Sequence, residues 1–280
     1  MKRIIATVLL CSIAVLSFAQ PQGQMGQQGP RGQRPEGAPR QMMQRPDVPP
    51  ASPQNAMHSP ILAMRKTTVE KVAYDAYEES NAVAKDSDVI FIGDSITENW
   101  YTFHHDFFDV NNFLARGIGG QTTISILCRF RQDVVKNNPK VVAIMCGIND
   151  VAQNDGPMKQ EYLLDNIVAM CDQAKANGIK VLLCSLTPCD RFFWNKEAVP
   201  APEVYKLNAA FKAIADSDEN ITYVDYHTPM DNGQGGMKQG YSNDGCHPTT
   251  VGYNVMERII VKEINKALNN NTEYFVTPEE

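Results

Sequence analysis

The sequence predicts an α/β protein, a three-layer α/β/α sandwich with a five-stranded parallel sheet. Short apolar runs alternate along the chain with longer segments of helical periodicity, which is the order of strands joined by right-handed crossovers. Several of these runs are apolar at every position, as strands are when helices cover both faces of a sheet. The chain has 280 residues, of which 43% are hydrophobic and 21% charged, enough for one large globular domain.

The strands are predicted where apolar and β-branched residues lie between Gly, Pro, Asn or Asp. They cover 88–92, 110–114, 140–146, 179–186 and 221–226. Helices are predicted where apolar residues recur three and four positions apart. They cover about 61–84, 121–137, 158–177, 202–216 and 249–269. No internal repeat is evident, so these elements are assigned to a single domain.

The N-terminus has the three parts of a secretory signal peptide. Lys2-Arg3 precedes an apolar stretch, which is followed by Ser17-Phe18-Ala19, so residues 1–19 are predicted to be cleaved after Ala19 in a secreted or periplasmic protein. A membrane anchor is the alternative, but the stretch is shorter than the ~20 residues that span a bilayer. A surface lipoprotein through Cys11 is disfavoured because the large Leu10 precedes that cysteine.

Three further segments follow the predicted signal peptide. Residues 20–60 are rich in Gln, Pro and Gly, and such a segment buries too little apolar surface to offset its ordering entropy. It is predicted to be a disordered arm, either a solvated spacer or a surface tether. The domain itself is assigned to 61–270 and a C-terminal tail to 271–280.

The negative charge of the domain argues against a nucleic-acid partner. Positions 61–280 carry 20 basic and 30 acidic residues, and this excess of negative charge repels the phosphates of a nucleic acid. The partner is therefore expected to be a small-molecule or carbohydrate ester, with no stable membrane span after signal cleavage. The oligomeric state is left open.

Six cysteines lie outside the predicted signal peptide. Most of them occur within apolar patterns, where a free cysteine behaves as a small hydrophobic residue. Cys189 and Cys246 are the exception because both fall in predicted loops. The sequence allows a disulfide between these two and leaves the alternative of free thiols open.

Polar and glycine-rich clusters follow the predicted strands, at the edge of the sheet where α/β proteins bind ligands. Gly93-Asp94-Ser95 follows the first strand and Gly117-Ile118-Gly119-Gly120-Gln121 the second. Gly147-Ile148-Asn149-Asp150 follows the third, and Asp244-Gly245-Cys246-His247 lies beyond the fifth. Singly, each cluster is typical of an ordinary turn. Together they supply a nucleophile, oxyanion donors and an oriented base.

These four clusters resemble the four signature blocks of the SGNH (GDSL-type) hydrolase superfamily, over roughly residues 86–268. The resemblance implies a flavodoxin-like fold and hydrolysis of an ester by a secreted bacterial enzyme, most similar to acetylhydrolase-like members. It assigns the nucleophile to Ser95 and the Asp-His pair to Asp244 and His247. It assigns the oxyanion hole to the backbone N–H groups of Ser95 and Gly120 and to the side-chain amide of Asn149.

This residue set fits the chemistry of acyl transfer. A serine hydroxyl becomes a good nucleophile only when an imidazole takes its proton, and a carboxylate must hold that imidazole in the correct tautomer. The two-glycine elbow of the α/β-hydrolases requires Gly at position 97, where this chain has Thr97. Ser95 is therefore expected at the start of a gentler loop or helix. Asp94 and Asp150 are interpreted as residues that fix these loops by hydrogen bonds.

Other sites are not supported by the motif spacing. The third glycine of a dinucleotide fingerprint would fall at Thr122, and neither a phosphate-binding G-x-x-x-x-G-K nor an H-E-x-x-H zinc motif occurs. His104-His105-Asp106 is interpreted as a group of exposed surface residues, because no further ligands lie at metal-binding spacing. No cofactor and no metal are therefore predicted.

The substrate-binding residues are sought in two loops. Loop 187–203 after the fourth strand offers Arg191, Phe193 and Trp194, whose rings could stack on a sugar or line an acyl pocket, or simply pack the loop onto the domain. Loop 228–241 supplies Tyr241 and is interpreted as a rim or lid. The function predicted is a secreted serine esterase for short-chain esters, acetyl before others, on carbohydrates.

Two alternatives to that function are kept. One is a lysophospholipase or arylesterase of broader acyl range, although no long apolar lid is visible in the sequence. The other is a carbohydrate-binding protein that has this fold without turnover. A third question, whether the acyl group passes to water or to another alcohol, is left open because both reactions use the same acyl-enzyme.

Overall fold

A five-stranded parallel sheet forms the centre of the structure, a computed structural model that describes residues 52–55, 67–84, 86–157 and 159–279. The strand order is β2-β1-β3-β4-β5, and every neighbouring pair is parallel. The strands are Val89–Gly93 (β1), Leu114–Gly117 (β2), Val141–Met145 (β3), Lys180–Cys184 (β4) and Ile221–Val224 (β5). The predicted α/β fold with its five-stranded parallel sheet is confirmed; the predicted signal peptide lies outside the described residues.

Helices precede, connect and follow the strands. They are Thr68–Val72 (α1), Glu78–Val83 (α2), Ser95–Phe103 (α3), His105–Val110 (α4), Thr123–Asp133 (α5), Ile148–Val151 (α6), Gln160–Ala176 (α7), Pro200–Asp216 (α8), His227–Met230 (α9) and Thr250–Leu268 (α10). The chain runs from β1 outward to β2 and then returns to the other side of β1 as β3. The order therefore reverses at β1, which opens a crevice at the carboxyl ends of the strands.

The core consists of the sheet and the helix faces packed on it. Val89, Ile90 and Ile92 of β1 have no exposed surface, so this strand is apolar on both faces as the sequence predicts. Phe91 packs against Trp100, with ring centroids 5.5 Å apart, and the rings of the α3 and α4 helices continue this cluster. The apolar faces of α3 and α4 thereby fix the start of α3 against the end of β1.

Two predicted elements were wrong in their extent. The strand predicted at 110–114 begins only at Leu114, because residues 105–110 form α4 and Asn112 adopts a left-handed conformation that ends it. The helix predicted over about 61–84 is, within the described residues, two short helices. Ala73 adopts a left-handed conformation after α1, and Tyr77 donates a hydrogen bond to the Gly117 carbonyl at 2.6 Å. Tertiary contacts override the helical pattern there.

Segments predicted to lie outside the domain are hydrogen-bonded to it. Asn55, in the predicted arm, is 3% exposed and accepts a hydrogen bond of 2.6 Å from the Ala115 N–H of the edge strand β2. In the C-terminal tail, the Thr277 N–H donates to Glu257 at 2.7 Å. The Asn55 side chain thus pairs a backbone N–H of the edge strand, and the Glu257 side chain pairs a backbone N–H of the tail.

None of the helices in the part of the chain that the structure describes is long and apolar enough to cross a membrane.

Candidate active site

Ser95 begins a helix at the carboxyl end of β1. Strand β1 ends at Gly93, and Asp94 caps α3 by accepting a 3.0 Å hydrogen bond from the Ile96 N–H. A side chain at position 93 would place its Cβ 2.5 Å from the Met145 carbonyl oxygen, so only glycine allows this close approach. The turn needs no second glycine, and Thr97 occupies the first helical turn. This is the gentler helix start expected from the sequence.

The chain brings Ser95 and His247 together across 152 positions of sequence. The Ser95 Oγ lies 3.0 Å from His247 Nε2, and His247 Nδ1 lies 2.7 Å from the Asp244 carboxylate. Asp244 also accepts from the backbone N–H groups of Cys246 and His247, at 2.9 and 2.8 Å. These bonds hold the carboxylate against the imidazole, so that Nδ1 keeps its proton and Nε2 can accept the proton of Ser95.

The environment shifts the proton affinities of this group. Burial acts against the charged forms, but the hydrogen bonds and charge of the Asp244–His247 pair dominate. They raise the pKa of His247 above its usual value and hold the pKa of Asp244 well below its usual range. Burial raises the pKa of Asp94 to about 7, against the opposing effects of its hydrogen bond from the Ile96 N–H and of the His247 charge. The imidazolium is therefore favoured first by the Asp244 carboxylate at 2.7 Å and, to a smaller extent, by Asp94.

Gly120 and Asn149 lie in the loops that follow the neighbouring strands β2 and β3. A Cβ at the adjacent Gly119 would lie 3.6 Å from the Ser95 Cβ, and Gly120 itself adopts a φ of 80° that disfavours other residues. The Asn149 Nδ2 donates to the Gln121 carbonyl at 3.0 Å, which leaves its second N–H available. The glycine loop therefore passes close to Ser95, and the Asn149 amide keeps an N–H that an oxyanion could accept.

Buried polar groups hold the glycine loop in place. Arg129 has no exposed surface and donates to Gln121 at 2.6 Å, to the Gly93 carbonyl at 2.9 Å and to Asp133 at 2.9 Å. Asp150 accepts from the N–H and the hydroxyl of Thr123 at 2.9 and 2.7 Å. The ends of β1, β2 and β3 are therefore tied to one another through side chains from inside the core.

The residues predicted to contact substrate differ in their placement. The Trp194 ring lies 5.9 Å from the His247 ring and is 38% exposed, and Phe193 packs on it edge-on while remaining 65% exposed. The Arg191 guanidinium instead pairs with Asp190 at 3.0 Å. Tyr241 packs partly against the core, and its backbone carbonyl accepts from Thr249. Of these four residues, Trp194 has a ring contact with a member of the predicted triad.

The two loop cysteines lie together but are free thiols. Cys189 and Cys246 are both buried and their side chains are hydrogen-bonded. This contact, together with burial, raises the pKa of the Cys246 thiol well above its usual value. The bridge that the sequence allows is therefore not formed in this structure.

The structure corrects the interpretation of His104. This side chain is 4% exposed, and its Nδ1 lies 2.6 Å from Glu257, which also accepts from the Trp100 indole at 3.1 Å. It is a core residue rather than surface decoration. Within the described ranges, no three His, Cys, Asp or Glu side chains are grouped as metal ligands would be.

Sequence reasoning missed two residues that support the site. Glu98, in the first turn of α3, accepts a 2.6 Å hydrogen bond from the Gly119 N–H and so holds the glycine loop. Asn154 donates to Asn149 at 2.8 Å and accepts from the Trp194 indole at 2.9 Å. Glu98 lies three positions after Ser95, a spacing that could have indicated it. Asn154 is part of an Asn-Asp-Gly stretch that reads only as a turn.

The chain is similar to a known family and to solved structures. Residues 91–255 match the model of the GDSL-like lipase/acylhydrolase family. A structure of a Bacteroides fragilis protein, provisionally described as an acylhydrolase, is 40% identical; the match covers 73% of this chain and 100% of that one, with a TM-score of 0.69. A GDSL-like lipase of Bacteroides thetaiotaomicron is also 40% identical, covering 70% and 98%, with a TM-score of 0.68.

More distant relatives share less with this chain. An acetylxylan esterase of Geobacillus stearothermophilus is 17% identical with a TM-score of 0.52, covering 70% of this chain and 100% of its own, a likeness of fold alone. The Bacillus subtilis lipoprotein YqeF, which is uncharacterised, is 34% identical over 80 residues. That match spans 28% of this chain and 33% of the lipoprotein.

Proposed function

The chain belongs to the GDSL-like lipase/acylhydrolase family, and from this premise we propose that it is a serine esterase that removes short acyl groups, acetyl before others, from carbohydrates. The observation that carries the proposal is the continuous series of hydrogen bonds from Ser95 through His247 to Asp244, with lengths of 3.0 and 2.7 Å. Such a series serves to activate a hydroxyl as a nucleophile.

In the proposed reaction, the Ser95 Oγ attacks the acyl carbonyl carbon while His247 Nε2 takes the hydroxyl proton. The carbonyl oxygen becomes negative and accepts hydrogen bonds from the N–H groups of Ser95 and Gly120 and from the Asn149 amide. His247 then gives its proton to the leaving alcohol, and the acyl group stays on Ser95. Water, activated by the same imidazole, releases the acid and restores the serine.

The position of Trp194 favours a carbohydrate as the alcohol. Because His247 protonates the leaving oxygen, the alcohol must lie beside that imidazole, and the half-exposed Trp194 ring lies 5.9 Å from it. Aromatic faces present a flat apolar surface on which a sugar ring can stack. A protein that shares the fold is named an acetylxylan esterase, which supports the same choice.

We also infer that the enzyme acts outside the cytoplasm. The inference rests on the signal-peptide pattern at 1–19, and the existence of a lipoprotein relative makes a lipid anchor at Cys11 the competing outcome. The mass of the mature N-terminus decides between them, since cleavage after Ala19 leaves an unmodified Gln20.

The test is hydrolysis of 4-nitrophenyl esters from acetate to decanoate, by the wild type and by Ser95→Ala. We expect acetate to be the best substrate and Ser95→Ala to lose about 10⁴-fold or more of kcat, since the nucleophile is removed. Ser217→Ala is the matched control because Ser217 is exposed and bonds only to the Ile214 carbonyl; it should retain full activity.

The other outcomes separate the alternatives. A preference for the longer esters favours the lysophospholipase or arylesterase. A wild type that cleaves no ester contradicts the proposal and favours a carbohydrate-binding protein. If acetate is preferred, release of acetate from acetylated polysaccharides is the next measurement, and a competing alcohol in the assay shows whether transfer accompanies hydrolysis.

A further inference from the structure

Asn154 connects three parts of the candidate active site. Its side-chain Nδ2 donates to the Asn149 Oδ1 at 2.8 Å and to the Gly120 carbonyl at 3.3 Å. Its Oδ1 accepts from the Trp194 indole N–H at 2.9 Å. Its backbone N–H donates to the Asn149 carbonyl at 3.0 Å. One exposed side chain thus contacts both proposed oxyanion residues outside α3 and also the aromatic ring beside His247.

The donors and acceptors of the Asn154 amide determine the direction of these hydrogen bonds. An asparagine amide has two N–H donors and one carbonyl acceptor, and Asn154 uses its NH₂ group toward two oxygens and its oxygen toward the indole N–H. The Asn149 amide is consequently held at both ends: its oxygen accepts from Asn154, and its Nδ2 donates to the Gln121 carbonyl at 3.0 Å. The second Nδ2 hydrogen is left pointing away from these two partners.

We propose that Asn154 is a positioning residue that sets the oxyanion donors, and that Trp194 holds Asn154 in place through its indole N–H. This inference rests on the proposed function and goes beyond it, because it couples the ring on which the leaving alcohol binds to the groups that stabilise the acyl oxyanion. Trp194 then has two separable roles. Its ring face binds the alcohol, and its N–H orients the Asn154–Asn149 pair.

The two roles predict different kinetics. If Trp194 only binds the alcohol, Trp194→Phe keeps an aromatic ring and leaves turnover of 4-nitrophenyl acetate unchanged. If the indole N–H also fixes Asn154, the same substitution lowers kcat, because loosened oxyanion donors lose stabilisation of the transition state rather than binding of the ground state.

The experiment measures kcat and KM for 4-nitrophenyl acetate in Asn154→Ala, Trp194→Phe and the double variant. We expect Asn154→Ala to lower kcat roughly 10- to 100-fold with little change in KM, somewhat less than the ~10²–10³ lost with a whole oxyanion donor. Trp194→Phe should lower kcat several-fold, and in the Asn154→Ala background it should have less than about a twofold further effect.

Asn177→Ala is the matched control. Asn177 is an exposed asparagine whose side chain donates to the Gln173 carbonyl at 2.7 Å, remote from the site, and its variant should keep the wild-type rate. An Asn154→Ala enzyme within twofold of wild type overturns the inference while the esterase proposal stands. Independent, multiplying effects of the two substitutions overturn the coupling. A wild type that cleaves no ester overturns both proposals.

A second readout reports the hydrogen bond itself. The chain has only two tryptophans, so the ¹H–¹⁵N spectrum contains two indole signals, one from the buried Trp100 and one from Trp194. In Asn154→Ala the Trp194 signal should shift and its exchange with solvent should quicken, while the Trp100 signal, bonded to Glu257, should not move. An unmoved Trp194 signal overturns the inference whatever the activity.

Discussion

The two halves of the candidate active site are built in different ways. The nucleophile side comprises the loops after β1, β2 and β3, residues 93–98, 117–123 and 147–155. The base side comprises the loops after β4 and β5, residues 185–199 and 225–249. Both contribute groups within hydrogen-bond reach of one another, as the 3.0 Å separation of Ser95 and His247 shows. What differs is the origin of the bonds that hold the loops next to Ser95 and the turn that carries His247.

On the nucleophile side the bonds come from the core and join distant parts of the chain. The fully buried Arg129 donates to the Gly93 carbonyl 36 positions away, and Asp150 accepts from Thr123 across 27 positions. On the base side, Asp244 accepts from backbone groups two and three positions ahead of it, at Cys246 and His247. The first arrangement depends on the whole fold, whereas the second is a local turn.

Because of this difference, substitutions in the two places should affect stability and activity differently. Groups buried in a polar network leave unpaired partners when one is removed, and this destabilises the fold. A half-exposed turn can lose a catalytic group with little effect on folding, because water replaces its bonds. We therefore expect substitutions in the Asp244–His247 turn to change mainly the rate and substitutions in the core network to change stability.

The largest effect is expected for Asp244→Asn on the base side. Asparagine can still accept from the two backbone N–H groups, but its amide cannot stabilise the His247 imidazolium, so kcat should fall by about 10³–10⁴-fold. The free energy of unfolding, measured in urea, should fall by only about 1–2 kcal/mol, because solvent screens the partly exposed Asp244–His247 pair. A large loss of stability in this variant would contradict the distinction between the two sides.

The next effect concerns the core network. Arg129→Met should destabilise the protein by about 3–5 kcal/mol, since it leaves the buried Asp133 carboxylate without its cation. It also removes one of the two hydrogen bonds to the Gly93 carbonyl, which keeps only that from the Ile118 N–H. Guanidinium chloride unfolding measures this loss. Arg258→Met is the control, because Arg258 pairs with Glu279 at the surface and should change stability by less than about 1 kcal/mol. Equal free energies of unfolding for Arg129→Met and Arg258→Met would contradict the distinction between the two sides.

The smallest effect is in the dependence of activity on pH. His247 must be neutral to take the proton of Ser95, so kcat/KM for 4-nitrophenyl acetate should fall about tenfold per pH unit below the pKa of the free enzyme. Because Asp244 raises the pKa of His247, the midpoint should lie above the ~6.5 of an unperturbed imidazole.

The same profile in Asp244→Asn sharpens this prediction. With the carboxylate gone, burial of the imidazole dominates and the midpoint should move to lower pH than in the wild type. A rate that does not vary between pH 5 and 8 would argue against a histidine base. An unmoved midpoint in the variant would show that Asp244 does not control His247.

Much of the fold could be predicted from local sequence. The runs in β1, β3 and β4 are apolar throughout and are bounded by turn residues, so their type and approximate extent follow from periodicity. The edge strand β2 was predicted too early, because 110–114 has β-forming residues but α4 extends to Val110 through its aromatic contacts with Phe91 and Trp100. His104 was misjudged because nothing near it in sequence indicates Glu257.

The sequence by itself determined the α/β class, the order of its elements and the strand ends at which Ser95, Gly120, Asn149 and His247 stand, since these depend on local pattern and on a motif spacing that the family shares. Only the tertiary structure decided which of the rim residues reach the site, that Arg129 locks the glycine loop, and that Asn154 joins Asn149 to Trp194. The bonds of Asn154 to Trp194 and of Arg129 to Gly93 link residues 40 and 36 positions apart, and their geometry exists only when the strand ends meet. Burial and charge then set the proton affinities of His247, Asp244 and Asp94, which no local pattern contains.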